Sequence, residues 1–209
     1  MDAIILAGGR GSRMEDSLPK ALVLAKGKPI ISHQIEYLKN TNKINKIILQ
    51  IGYKADQIVN YIKENYLHDN IEFSIESEPL GTGGAVKQGL KKSSTDFVLV
   101  FNCDDITNIN LEKLEKLKEN TICIAHPRLP FGLVKEKEGY AVFEEKPVLK
   151  EWVSCGWYFL NKDKLLKILP DKGSIEYDTF PKINLRLYKH LGFWRSLNTK
   201  KDIKEFNEE

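Results

Sequence analysis

Cysteine is scarce and scattered: Cys103, Cys123 and Cys155 are the only three, and no CxxC pair occurs. That spacing gives neither a disulfide framework nor a paired-cysteine zinc site, so a reducing cytoplasm is the expected compartment. The four histidines, His33, His68, His126 and His190, show no HxxxH spacing, which leaves no zinc-hydrolase signature. No GxSxG elbow appears. Glu144 and Glu145 are neighbours, hence on opposite faces of a strand, the wrong arrangement for a glycosidase pair. No apolar run approaches the ~20 residues of a membrane span. The N-terminus enters an apolar segment without a basic n-region or cleavage site, so no signal peptide is expected. No charge sign dominates: 32 basic against 29 acidic residues leave a net +3. The lysines are mostly interleaved with glutamates on helix-like stretches, so nucleic-acid and membrane partners are not expected. Repeats, low-complexity tracts and linkers are absent, and 209 residues read as a single domain.

What is present is alternation between two periodicities. Residues 2–6 read as a buried strand closed by glycine. "PIISHQIEYLKN" places Ile31, Ile35 and Leu38 at helical spacing, with Pro29 suited to a helix start. Strand "KIILQIGY", helix "ADQIVNYIKENY", strand "IEFSIES", helix "GGAVKQGLKK" and strand "DFVLVFN" follow. Amphipathic "NLEKLEKLKEN", with Asn110 as N-cap, then leads to strand "TICIAH". This βαβαβαβαβ order predicts an α/β fold: a Rossmann-like mixed, mostly parallel sheet with helices on both faces. The second half reads as a hairpin turning near Glu138 and Gly139, a long aromatic strand "EWVSCGWYFL" and a helix "NKDKLLKIL". After these come a short helix interrupted by Pro181, a late strand "HLGFWRSL" and a terminal helix capped by Thr199. The expected layout is one domain, 1–209, with a nucleotide-binding half over about 1–126 and a cover over about 127–209.

The stretch "AIILAGGRGSRMEDSLPKAL" joins the first strand to a bare, cationic loop. In parallel α/β sheets ligands sit beyond the carboxyl ends of strands. Gly8, Gly9 and Gly11 let backbone N–H groups approach an anion closely. Arg13 offers a bidentate contact, and Lys20 a mobile point charge. The loop is neither a dinucleotide fingerprint, which needs a third glycine, nor a GxxxxGK[ST] loop. It suits a polyanion, phosphate above all.

"LAGGRGSRM…LPKAL" resembles the LAGGxGTRL…PK motif of sugar-1-phosphate nucleotidyltransferases, a GT-A-like α/β family. "EPLGTGGA" at 78–85 is similar to the base-reading segment of its mannose-, heptose- and glucose-1-phosphate branches. "FNCDD" at 101–105 stands where the family has a strand ending N-G-D. "FEEKP" resembles its E-K-P element, "VSCGWYFL" its N-A-G-x-Y-x-F strand, and "SIEYDTFPKI" its S-x-E-x-D-x-F-P. The resemblance implies that an NTP and a hexose or heptose 1-phosphate give an NDP-sugar and pyrophosphate, with Mg²⁺ as cofactor. It implies a nucleotide site of Leu6, Ala7, Gly8, Gly9, Gly11, Ser12 and Arg13, with Glu78, Pro79, Gly81, Thr82 and Gly83 framing the base. Arg13, Lys20 and Asp104 would be catalytic, and Asp104 would hold the metal. Lys20, Glu145, Lys146, Gly156 and Glu176 would bind the sugar phosphate. Either a monomer or a small homo-oligomer suits this scheme.

One position breaks the pattern. Where the family reads W-x-D-x-G-T, this chain reads "WRSLNT", so Ser196 replaces an aspartate that would give the metal a second carboxylate. Three explanations stay open: Asp105 or Asp178 supplies the charge, phosphate and water complete the shell of Asp104, or the protein binds its ligands and turns over poorly. Two other functions compete: a regulatory homologue that binds without catalysis, and a phosphocholine-type cytidylyltransferase. The latter would need an aromatic cage for a quaternary amine.

Overall fold

The computed structural model describes residues 1–9 and 18–209. Its first half contains β1 (Asp2–Leu6), β2 (Leu24–Ala25), β3 (Lys28–Pro29), α1 (Ile30–Asn40), β4 (Ile47–Ile51), α2 (Ala55–Asn65), β5 (Ile71–Ile75), α3 (Gly81–Leu90), β6 (Phe97–Asn102), β7 (Asp105–Thr107), α4 (Leu111–Glu115) and β8 (Thr121–Ala125). The second half adds β9 (Leu133–Lys137), β10 (Tyr140–Glu144), β11 (Val153–Asn161), α5 (Lys162–Leu166), α6 (Ile175–Asp178), β12 (Arg186–Lys189), β13 (Trp194–Ser196) and α7 (Lys200–Glu208).

Seven strands form the central sheet in the order β12-β8-β11-β6-β1-β4-β5. All neighbours pair in parallel except β11, which is antiparallel to both β6 and β8. The mixed, mostly parallel sheet expected from the sequence is therefore present. Alternate residues of the inner strands enter two separate cores, as the period-two geometry demands. Ala3, Ile5, Leu49, Leu99 and Phe101 pack with α1, α2, α4 and α7. Ile4, Ile48, Val98, Val100 and Leu160 pack with α3, α5 and α6 on the opposite face. In α1 the stripe Ile31, Ile35 and Leu38 is fully buried; each such side chain stabilises the fold by about 1.5–3 kcal/mol.

Four short polar residues start helices by accepting a hydrogen bond from a backbone N–H three residues on. They are Asn110, Asn161, Ser174 and Thr199. At Thr199 the Asp202 carboxylate reciprocates, which completes a capping box. The β9–β10 hairpin turns at Glu138 and Gly139, both at positive φ (53° and 80°), as its right-handed twist favours.

Three details depart from the sequence pattern. The amphipathic "NLEKLEKLKEN" is helical only over Leu111–Glu115, because Leu111 and Leu114 are its only buried anchors. The late strand is confined to Trp194–Ser196. The outer strand β12, "RLYK", carries no apolar alternation, because it lies at the sheet edge with most of its residues exposed.

Candidate active site

A cleft of about 300 Å³ opens beyond the carboxyl ends of β1, β4 and β6. Leu6, Gly8 and Gly9 form one wall where β1 ends. Pro79, Gly81, Thr82 and Ala85 form another at the start of α3. Asn102 and Asp104 close the floor at the end of β6. The structure thus brings together both glycine-containing segments and Asp104 from distant parts of the chain. Gly11, Ser12 and Arg13 lie outside the described residues. Ala7 is buried beside this wall, its N–H donating to the Gln50 carbonyl (2.8 Å).

Lys20 reaches across the floor. Its ammonium makes an ion pair with Asp104 Oδ2 and donates to Asn198 Oδ1 (3.0 Å). Asn198 Nδ2 in turn donates to Ser196 Oγ (2.8 Å). Lysine, aspartate and the "WRSLNT" segment therefore form one polar cluster. The Leu197 N–H donates to the Asp104 carbonyl (2.9 Å), which ties β13 to the end of β6.

Asp105 faces the other way. It is buried, and accepts from Asn102 Nδ2 (3.0 Å) and Trp194 Nε1 (3.1 Å). Burial, reinforced by the nearby Asp104 charge, pushes its carboxyl up to about 6. Its backbone carbonyl accepts from Gln34 Nε2 (3.1 Å) and Trp157 Nε1 (2.9 Å). Asp178 also serves locally, accepting from the Ser174 N–H (2.7 Å). Among the described residues no group of three His, Cys, Asp or Glu side chains could hold a metal. Asp104 alone fits a magnesium ion held through one carboxylate, with substrate oxygens and water filling the rest of the shell. Lys20 already places positive charge at that carboxylate.

Gly156 has φ +72°, and an added Cβ would collide with Asp105 Oδ2. The strand register shifts between Ser154 and Tyr158 around it. The side of this glycine where a Cβ would stand is occupied by Asp105 and Asn102. The glycines of "GTGG" also have a packing role. Gly81 has φ +71°, and a Cβ there would strike the Gly173 carbonyl. Gly83 donates to that same carbonyl (2.8 Å).

The Thr82 hydroxyl donates to Glu176 Oε2 (2.8 Å) and accepts from the Ile175 N–H (2.9 Å), docking α6 onto α3. Glu176 also accepts from Ser174 Oγ (2.7 Å) and from the Tyr158 hydroxyl (3.4 Å). Burial raises the Tyr158 phenol well above its usual range. Glu78 is exposed and pairs with Lys172 (2.8 Å), which holds its carboxyl below the usual value. Lys146 sits at φ +44° and pairs with Glu205 of α7 (2.8 Å). Glu145 beside it is exposed at the foot of the hairpin.

Two cleft residues were not singled out by the sequence pattern. Glu76, just past β5, accepts from Gln50 Nε2 (3.2 Å) and from the Leu80 N–H (3.2 Å). It lines both the cleft and an adjoining hollow of about 200 Å³ formed with Gly8, Gly52 and Tyr53. Gln50 is fully buried, and its Oε1 has no hydrogen-bond partner among the described residues. The available signal was a carboxylate placed directly after a strand that ends at the ligand edge of the sheet.

The family model described as "Nucleotidyl transferase" matches residues 2–198. The chain is 39% identical over 173 residues to the D-glycero-alpha-D-manno-heptose 1-phosphate guanylyltransferase of Campylobacter jejuni, covering 78% of this chain and 77% of that protein. It is 34% identical over 228 residues to the mannose-1-phosphate guanyltransferase of Emericella nidulans. That match covers 97% of this chain and 62% of the fungal protein's length. HddC from Yersinia pseudotuberculosis, solved in complex with GMP-PN, superposes with a TM-score of 0.80 at 28% identity, over 99% of this chain and 98% of that one. A putative glucose-1-phosphate thymidylyltransferase from Bacillus anthracis shares the fold, with a TM-score of 0.75 at 20% identity over 99% and 94%.

Proposed function

The chain belongs to the nucleotidyl transferase family, and from that premise we propose that it transfers GMP from GTP to a mannose- or heptose-type sugar 1-phosphate. A phosphate oxygen of the sugar phosphate attacks the α-phosphorus of GTP in line. The new P–O bond forms as the bond from the α-phosphorus to its bridging oxygen breaks, and pyrophosphate leaves with that oxygen. No protein nucleophile is required, so the work lies in holding the phosphates and offsetting their charge.

The observation that carries this reading is the Lys20–Asp104 pair on the floor of a cleft walled by Gly8 and Gly9. Lys20 leaves Asp104 for the reacting phosphates when they arrive. Asp104 would hold Mg²⁺, which would supply neutralisation of phosphate charge. Gly8 and Gly9 bring backbone close to the nucleotide; Arg13, outside the described residues, would add a bidentate cation for the phosphates. Asn198 keeps Lys20 aimed into the cleft throughout.

The base reading rests on Glu76. Guanine presents two neighbouring donors, N1–H and the N2 amino group, and a carboxylate with lone pairs to spare accepts from both. Adenine offers an acceptor at the corresponding ring nitrogen. Gln50, buried behind it, donates to Glu76 (3.2 Å) and fixes that carboxylate's position. The relatives' names point to the same base and to mannose or heptose phosphates. The buried free cysteines suit a reducing cytoplasm.

The test is pyrophosphate release from GTP, ATP, CTP, UTP and dTTP, each paired with mannose 1-phosphate, D-glycero-α-D-manno-heptose 1-phosphate and glucose 1-phosphate. Release confined to GTP with a manno-configured sugar is expected. Folded protein that releases none from any GTP pair overturns the reading.

A further inference from the structure

On the far side of β13 lies a larger hollow, of about 510 Å³, that shares no lining residue with the cleft. Two guanidinium groups converge there on one carboxylate oxygen. Arg195 makes an ion pair with Glu209 Oε1, and Arg128 approaches the same atom at 4.0 Å. Two guanidinium groups thus face one carboxylate oxygen, while Glu205, whose charge also feels Arg195, is already paired with Lys146. Arg195 Nε is buried without a hydrogen-bond partner among the described residues. A buried guanidinium donor left unused is costly. The rim is apolar, with Leu191 80% and Phe193 40% exposed.

We propose that this hollow is a second anion site, taking the phosphate group of a small organophosphate in competition with the Glu209 carboxylate. A phosphate monoester carries close to two charges and three acceptor oxygens. It can answer both guanidinium groups and the orphan Nε together, which a single carboxylate does not. Leu191 and Phe193 then cover the organic body of the ligand, in the usual manner of small-molecule sites with an apolar lining and few polar anchors. Arg195 lies next to Ser196, whose hydroxyl accepts from Asn198, the residue that accepts from Lys20. An anion on Arg195 therefore bears on the strand that aims the cleft lysine.

Phenyl phosphate is the probe: it has the charge and a ring, but is neither a nucleotide nor a sugar 1-phosphate. Its affinity is measured by titration calorimetry on the full chain as wild type, Glu209→Gln and Arg128→Ala. Both side chains are well exposed, at 36% and 52%, so neither change disturbs the core. Neutralising the internal competitor tightens phenyl phosphate several-fold. Removing Arg128 weakens it about tenfold or more. The affinity for GTP stays within about twofold in both variants. Absence of binding to wild type and Glu209→Gln alike overturns the proposal. So does an equal affinity in all three proteins, or displacement of phenyl phosphate by GTP in the wild type.

Discussion

Lys20 is the side chain on which the cleft converges, since it bridges Asp104 and Asn198. Lys20→Ala is expected to lower kcat by about 10²–10³, measured by pyrophosphate release. Its Tm changes little, because the lysine lies on the cleft floor and is not packed in a core. Ser196 argues differently from what the family pattern suggests. It stands directly across the strand pair from the buried Asp105. Restoring an aspartate there sets a second carboxylate against a buried one. Ser196→Asp is therefore expected to lower stability by about 1–3 kcal/mol, seen as an earlier urea midpoint, and to raise turnover not at all. Asp105 itself links stability to pH. Its carboxyl titrates near 6 when folded, against 3.8 ordinarily, so between those values the folded state binds more protons than the unfolded one. Its contribution is present below about pH 4 and lost as pH rises through 6. The stability difference between wild type and Asp105→Asn should thus shift against wild type over that window, by on the order of 1–3 kcal/mol, and flatten above it.

At the scale of elements, the capping box at Thr199 secures the helix whose approach carries Asn198. Asp202 Oδ2 accepts from the N–H groups of both Asn198 (3.0 Å) and Thr199 (2.7 Å). Thr199→Ala should cost about 1 kcal/mol in a chemical-denaturation midpoint, with a smaller loss in kcat through looser aim of Lys20. The elements of the first half were legible in the sequence because their strands are buried and their helices carry long apolar stripes. Ile4 and Ile5 entering opposite cores is what a strand covered on both faces must do. β12 was not legible: its outer side faces solvent, so "RLYK" carries no alternation. The cleft was legible wherever backbone does the work, at Gly8, Gly9 and Gly81. It was illegible at Glu76, which becomes a cleft residue only because β5 ends beside Gly8 and Gly52. Gly156 was legible as a position that must be glycine, but its partner, Asp105 from another element, was not.

In the whole molecule, the Asp104 charge on the floor of the cleft is answered by Lys20 before any ligand arrives. Stripping divalent ions with EDTA should abolish pyrophosphate release and leave Tm within about 2 °C, since 1 kcal/mol corresponds to roughly 2–4 °C in a chain of this size. A calorimetric scan with and without EDTA checks both halves of that statement. None of the described helices is long and apolar enough to cross a membrane. The antiparallel strand β11 has a consequence for how the chain is made. It lies between β6 and β8, although it follows both in sequence. Until the ribosome has released residue 161, β6 and β8 present unpaired N–H and C=O groups along the edges that β11 will fill. The nascent first half therefore cannot close on its own, and its sticky border must be shielded during synthesis until one late strand arrives to seal it.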